Sequence, residues 1–181
     1  MKKTIVLLIC LGLAFASCVK DKKGGAEVSP SVNEGQNMEN IDQFMRQGPL
    51  FAIGDSLAEI AKNLGQPLKQ TVEERQNIHN KNQTDKIYKL FYGGLYLEIY
   101  HVTEMNKDIP MVLEVTGDKY PIAFGLGVGA KRDKVRAVLG RPNDEKPALW
   151  RYFASDLVMG AFEFAFQGDS VVSIKWYYSI D

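Results

Sequence analysis

Ile53-Gly54-Asp55-Ser56-Leu57-Ala58-Glu59-Ile60-Ala61-Lys62-Asn63-Leu64-Gly65-Gln66-Pro67 recurs 75 positions on as Val128-Gly129-Ala130-Lys131-Arg132-Asp133-Lys134-Val135-Arg136-Ala137-Val138-Leu139-Gly140-Arg141-Pro142. Ile53, Gly54, Ile60, Leu64, Gly65 and Pro67 each meet an identical or similar residue, so the chain carries an internal repeat. Each copy reads as a short helix with both ends marked. A glycine turn leads in, Ile60 and Leu64 or Val135 and Leu139 share a face at i, i+4, and Gly then Pro ends the helix. Asp55 or Ser56 can cap the first helix, with Glu59 in its first turn; Ala130 and Lys131 give the second a weaker cap.

Strands follow in both copies. They are expected around Tyr88 to Tyr92 and Trp150 to Phe153, then at Leu95 to Tyr100 and Phe162 to Gln167, which alternate strictly and each follow a small pair, Gly93-Gly94 or Gly160-Ala161. A third strand, Ile109 to Val115, corresponds to Ser170 to Trp176 at a spacing of 61. The change in spacing has one source: Leu68 to Ile87 forms a 20-residue polar connector in the first copy, against the six residues Asn143 to Ala148 in the second. Each unit therefore reads as a helix laid on an antiparallel three- or four-stranded meander, which is an α+β class. The expected helix-facing side is Leu95, Leu97, Ile99, Met111, Leu113 and Val115 in the first unit and Phe162, Phe164, Phe166, Val172, Ile174 and Trp176 in the second.

Before the repeat the chain has the marks of export. Met1-Lys2-Lys3, an apolar run from Ile5 to Ala16 and small residues at a cut point form a signal peptide over 1–17, the run being too short for the roughly 20 apolar residues of a membrane span. Phe15-Ala16-Ser17-Cys18 resembles the bacterial lipobox, with Phe15 where Leu, Val or Ile is usual. That resemblance implies lipid on Cys18, and several acyl chains make a stable anchor where one is marginal. Cys10 goes with the discarded segment, so the mature chain is expected to have no disulfide. Residues 18–47, rich in Lys, Gly, Ser, Asn, Glu and Gln, are expected to be a disordered tether, with a helical turn or two after Met38. Repeat units over 48–118 and 119–181 complete the plan. Val19 after the cysteine, in place of Asp, favours an outer-membrane home if the source has one.

The inventory of chemistry is thin. His79 and His101 are the only histidines and lack partners at ligand spacing, so no metal site and no cofactor is expected. There is no G-x-S-x-G elbow. Gly125-Leu126-Gly127-Val128-Gly129 has the glycine content of a phosphate loop but not its lysine spacing, and only the last glycine has a counterpart in the first copy; a flexible lead-in to the second unit is the better reading. Lys+Arg and Asp+Glu balance at 22 each, which argues against nucleic acid as a partner. What remains is the sheet face opposite the helices. Alternation sends Tyr96, Glu98 and Tyr100 there, with Lys175 and Tyr177 in the second unit, and tyrosine combines contact area with a hydrogen-bonding tip.

The tandem pattern of apolar-Gly, short helix, Leu-Gly-x-Pro and meander, over roughly Gln47 to Asp181, resembles the beta-lactamase inhibitor protein fold, whose single-copy relatives include the outer-membrane assembly lipoproteins of the SmpA/OmlA, or BamE, type. The resemblance implies a non-enzymatic domain that binds other envelope or extracellular proteins through its exposed sheet face. The expectation is a cell-envelope lipoprotein with that role. The alternative is a periplasmic carrier of a small or apolar ligand held between helix and sheet or between the units. A packed interior with an exposed tyrosine-bearing sheet face would favour the first and a closed apolar cavity of a few hundred Å³ the second.

Overall fold

A computed structural model describes residues 34–77 and 79–179. The expected signal peptide, Cys18 and the start of the tether lie outside the described residues. Helices α1 (Glu34–Arg46), α2 (Leu50–Ile53) and α3 (Leu57–Leu64) precede strands β1 (Lys69–Gln76), β2 (Thr84–Tyr92), β3 (Leu95–Val102) and β4 (Lys107–Val115). A 3-10 turn (Ala123–Gly125) and α4 (Arg132–Leu139) lead to β5 (Asp144–Lys146), β6 (Leu149–Phe153), β7 (Gly160–Gln167) and β8 (Ser170–Tyr178). The class is α+β. All eight strands form one antiparallel sheet in the order β1-β2-β3-β4-β8-β7-β6-β5, so two four-stranded meanders meet where β4 pairs β8, with Leu113 opposite Trp176.

The repeated segment folds alike in both places. Gly65 and Gly140, which end α3 and α4, adopt φ/ψ of 74/−156° and 73/−158°, and Gly54 and Gly129 take φ of 96° and 88°, conformations in which a side chain is strained. Each helix end is also held from the sheet: the Tyr92 hydroxyl donates to the Gly65 carbonyl at 3.3 Å and the Tyr152 hydroxyl to the Gly140 carbonyl at 3.1 Å. Ser56 caps α3 by accepting from the Glu59 N–H, while Lys131 gives α4 no side-chain cap, as the sequence predicts.

Three expectations are corrected. The stretch read as the end of the tether is α1, which buries Ile41, Phe44 and Met45 on the second meander. The Phe44 ring lies 4.7 Å from Phe162 and stacks on Trp176 at 5.4 Å, and the Asp42 carboxylate accepts from the Ser155 N–H and hydroxyl at 2.8 and 2.6 Å. Three apolar residues at i, i+3, i+4 were hidden in an otherwise polar segment. The polar connector Leu68 to Ile87 is instead the β1–β2 hairpin, whose first strand lies at the sheet edge, exposed along its whole length and so without an apolar alternation. Finally, Val172 points outward at 37% exposure and Val171 is buried in its place. Phe166 pairs with Val171 after Ala165 pairs with Ser173, so Val172 is the extra residue of a bulge. Met111 is the extra residue of the matching bulge in β4, between Val112 opposite Glu98 and Pro110 opposite Ile99.

The remaining expected core residues are buried, Met111 only in part. They join one cluster: Ile60 of α3 and Leu97 and Leu113 of the first meander are continuous with Val135 and Leu139 of α4 and Phe162, Phe164 and Trp176 of the second. The halves of the sheet share a core. At about 25 cal/mol per Å² of apolar surface buried, this shared core contributes most of what stabilises the fold.

Candidate functional site

The face of the sheet opposite α1, α3 and α4 is built by cross-strand register. One row runs in direct register over every strand: Lys69, Phe91, Tyr96, Glu114, Lys175, Glu163, Arg151 and Asp144. Signs alternate along its second half, and opposed pairs of this kind stabilise a sheet while fixing its register. Arg151 makes a two-nitrogen ion pair with Glu163, Tyr177 donates to the other Glu163 oxygen at 3.0 Å, and Lys175 lies 5.2 Å from the Tyr177 ring centre. Ser173 donates to Glu114 at 2.9 Å. At the other end the Lys69 ammonium sits over Phe91, whose ring packs 4.8 Å from Tyr96.

The residues expected on this face are all there and all half-buried. Their polar tips, however, are committed within the chain. Tyr96 donates to Glu98, Tyr100 to Asp85 and Tyr177 to Glu163. Burial, then the bond to Glu163, pushes the Tyr177 phenol up to about 12. Burial followed by the carboxylate bond raises Tyr96 and Tyr100 as well. What the face offers a partner is therefore ring edges and a ladder of paired charges more than free hydroxyls.

Asp85 is the residue that sequence reasoning missed. It is fully buried on the same face, where β2 leaves the hairpin loop. Its Oδ1 accepts from Gln83 Nε2 at 2.6 Å and from the Thr103 N–H at 2.9 Å, and its Oδ2 from Asn77 Nδ2 at 2.7 Å and from Tyr100. Burial by itself would raise this carboxyl; the bonds from Tyr100, Thr103, Asn77 and Gln83 together outweigh it and hold the group well below the usual carboxylate range. Asn77 Oδ1 in turn accepts from the N–H groups of His79 and Asn80 at 2.8 and 2.9 Å. One carboxylate thus ties the β1–β2 loop, the β3–β4 turn and the sheet into a single frame. Between loop and turn lies a cavity of about 490 Å³, floored by Tyr100, Val102 and Ile109 and rimmed by Arg75, His79, Glu104 and Lys107. A shallower hollow of about 400 Å³ opens over Phe91, Tyr96 and Glu114.

His101 points to the helix side. Its Nδ1 lies 2.7 Å from Asp108 Oδ1, and Asp108 Oδ2 accepts from the Leu57 N–H at 2.9 Å, one of the N-terminal donors that α3 cannot satisfy internally. The pair fastens the helix to β3 and β4. His79 is exposed on the hairpin loop, and among the described residues no group of three or more His, Cys, Asp and Glu side chains could hold a metal ion. The glycine-rich 125–129 segment is pinned to the fold and forms no anion cradle: Gly125, Leu126, Gly129 and Ala130 all donate their N–H to backbone carbonyls. Among the described residues no helix is long and apolar enough to cross a membrane.

No protein-family profile matches the chain, and no curated protein sequence does. Among solved structures it is similar to that of the uncharacterized protein yfeY from Escherichia coli, at 10% identity over 70% of this chain and 90% of that one, with a TM-score of 0.40. A likeness that slight bears on neither fold nor function.

Proposed function

We propose that the chain is a cell-envelope lipoprotein, cut before Cys18 and anchored by lipid there, whose folded part is a non-enzymatic protein-binding or envelope-assembly module. We further propose that it is a tandem duplication of one helix-plus-meander unit. The matched glycine conformations, the paired tyrosine-to-glycine bonds and the bulges at Met111 and Val172, 61 positions apart, support the duplication. The observation that carries the binding role is one-sided covering. The helices bury one face of an eight-stranded sheet, and hollows of about 490 and 400 Å³ open among residues of the other. A carrier has little support inside the fold. The cavity between α3 and β2, lined by Leu57, Ala61, Tyr88 and Leu90, holds about 160 Å³, below the roughly 300 Å³ at which ligand sites begin.

Two experiments test this. A photo-crosslinking residue replacing Tyr96 or Tyr177 is expected to capture a discrete envelope protein in cells, and one replacing Ala58 on the exposed side of α3 is not. Equal capture from both faces, or none from Tyr96 and Tyr177, would sink the sheet-face assignment. Cys18→Ser is expected to leave the protein unlipidated and released from membranes; retention of that variant would contradict the anchor.

A further inference from the structure

We infer that the cavity between the β1–β2 loop and the β3–β4 turn is a binding site for a small organic anion, a carboxylate carried on a compact apolar body. This goes beyond the protein-binding role, which places its contacts along the sheet, and it does not depend on the lipid anchor. Three observations carry it. The first is construction. A fully buried carboxylate is costly to desolvate, and Asp85 spends all its accepting capacity on the two walls and the floor of this cavity: Gln83 and Asn77 from the loop, Thr103 from the turn, Tyr100 from below. Neither wall needs such a fastening to complete the shared core, which lies on the opposite face. The result is a preformed concavity of about 490 Å³, within the range of small-molecule sites.

The second observation is the lining. Tyr100, Val102 and Ile109 give a floor of apolar and aromatic surface, and the exposed Met105 on the turn adds an adaptable edge. The third is charge. Arg75 lies directly across from Asp85 in the strand register yet makes no ion pair with it, because the four donors already fill both carboxylate oxygens. Arg75 and Lys107 both line the cavity, and neither makes an ion pair among the described residues. Glu104 is the one acidic side chain on the rim, and the Asp85 carboxylate behind the lining is already matched by its four donors, which leaves Arg75 and Lys107 as the cations a ligand would meet. An apolar floor beneath two unpaired cations matches a ligand with an apolar body and one anionic end, since charge-assisted bonds to Arg and Lys orient the head while the floor takes the body.

The test uses the full chain, isotope-labelled, titrated with 4-phenylbutyrate, with 4-phenyl-1-butanol as its neutral counterpart, and with inorganic phosphate. The acid is expected to shift the amides of Tyr100, Val102 and Met105 saturably, with the alcohol at least tenfold weaker and phosphate weaker still. The double variant Arg75→Gln, Lys107→Gln is expected to bind the acid about tenfold less tightly and to lose the preference over the alcohol, both side chains being too exposed for the fold to depend on them. Equal binding of acid and alcohol, no saturable shift, or unchanged affinity in the double variant would each overturn the assignment. N-acetylphenylalanine separates two sources of the same chemistry. Its binding supports the site and extends it to the carboxyl end of a protein chain; its failure beside bound phenylbutyrate supports a site for free acids alone.

Discussion

Replacing Asp85 by alanine should loosen the molecule at one end while leaving its core intact. The substitution removes an acceptor of four hydrogen bonds, two on each oxygen. Asn77, Gln83 and Tyr100 border an open cavity and can turn to water, but the Thr103 N–H is fixed by the backbone. An orphaned buried donor costs about 1–3 kcal/mol, and relief of the carboxylate's own desolvation offsets part of the total. A net loss of about 2 kcal/mol follows, or about 4–8 °C in Tm at 2–4 °C per kcal/mol for a domain of this size. Asp85→Asn should lose about half as much. Its carbonyl can serve Gln83 and Thr103, whereas its amide nitrogen faces Tyr100, which can rotate to accept, and Asn77, which cannot flip without releasing the N–H groups of His79 and Asn80. Because the folded carboxyl titrates below the unfolded value of about 3.9, its contribution is fully present above that pH and is lost as pH falls towards the folded value. The gap between wild type and Asp85→Asn should therefore narrow below about pH 4. Urea unfolding across pH 3–7 measures both effects, and hydrogen exchange should quicken over 77–83 and 103–106. A loss under about 1 kcal/mol for Asp85→Ala, with exchange unchanged in those loops, would refute the role given to Asp85.

Phe44→Ala should cost about 3–5 kcal/mol in the same assay, since it empties the contact of α1 with Phe162 and Trp176; a disordered tether would lose nothing. Tyr152→Phe should cost about 1 kcal/mol and Tyr92→Phe only a few tenths, because the first bond to a helix-ending glycine is buried and the second exposed; equal losses would contradict that difference. In a spectrophotometric titration, wild type and Tyr177→Phe should show the same phenolate absorbance up to about pH 11 and part only as Tyr177 ionises near 12. Divergence near pH 10 would mean that the phenol is neither buried nor bonded to Glu163.

What could be read in advance divides along physical lines. Alternation along Leu95 to Tyr100 and along the end of the strand that begins at Ser170 assigns each residue to a face, so Tyr96, Glu98, Tyr100, Lys175 and Tyr177 were placeable from sequence. Which carboxylate each hydroxyl meets was not, because Glu163 and Tyr177 or Asp85 and Tyr100 become neighbours only through strand register. Bulges defeat alternation outright: one extra residue at Val172 moves Val171 into the core. An edge strand wetted on both faces, as β1 is, carries no period at all, and its sequence Lys69 to Gln76 looks like a linker.

The same contrast locates the site. Under the proposed duplication, the two copies agree in the helix, its glycine stop, the tyrosine that holds it and the bulge, all of which serve the shared core. They disagree in the 14 extra residues that separate a 20-residue stretch in the first copy from six in the second. Those residues lengthen the β1–β2 hairpin well past the three-residue β5 of the other half, and they supply Asn77, His79, Asn80 and Gln83, hence one wall of the cavity and two of the four donors to Asp85. A repeat constrains what both halves must do to fold. Whatever only one half does is free of that constraint, and here the unmatched residues enclose a cavity of about 490 Å³ and fasten it with a buried charge. A chain in which Asn77 to Gln83 were shortened to a two-residue turn should therefore keep its core and lose the cavity.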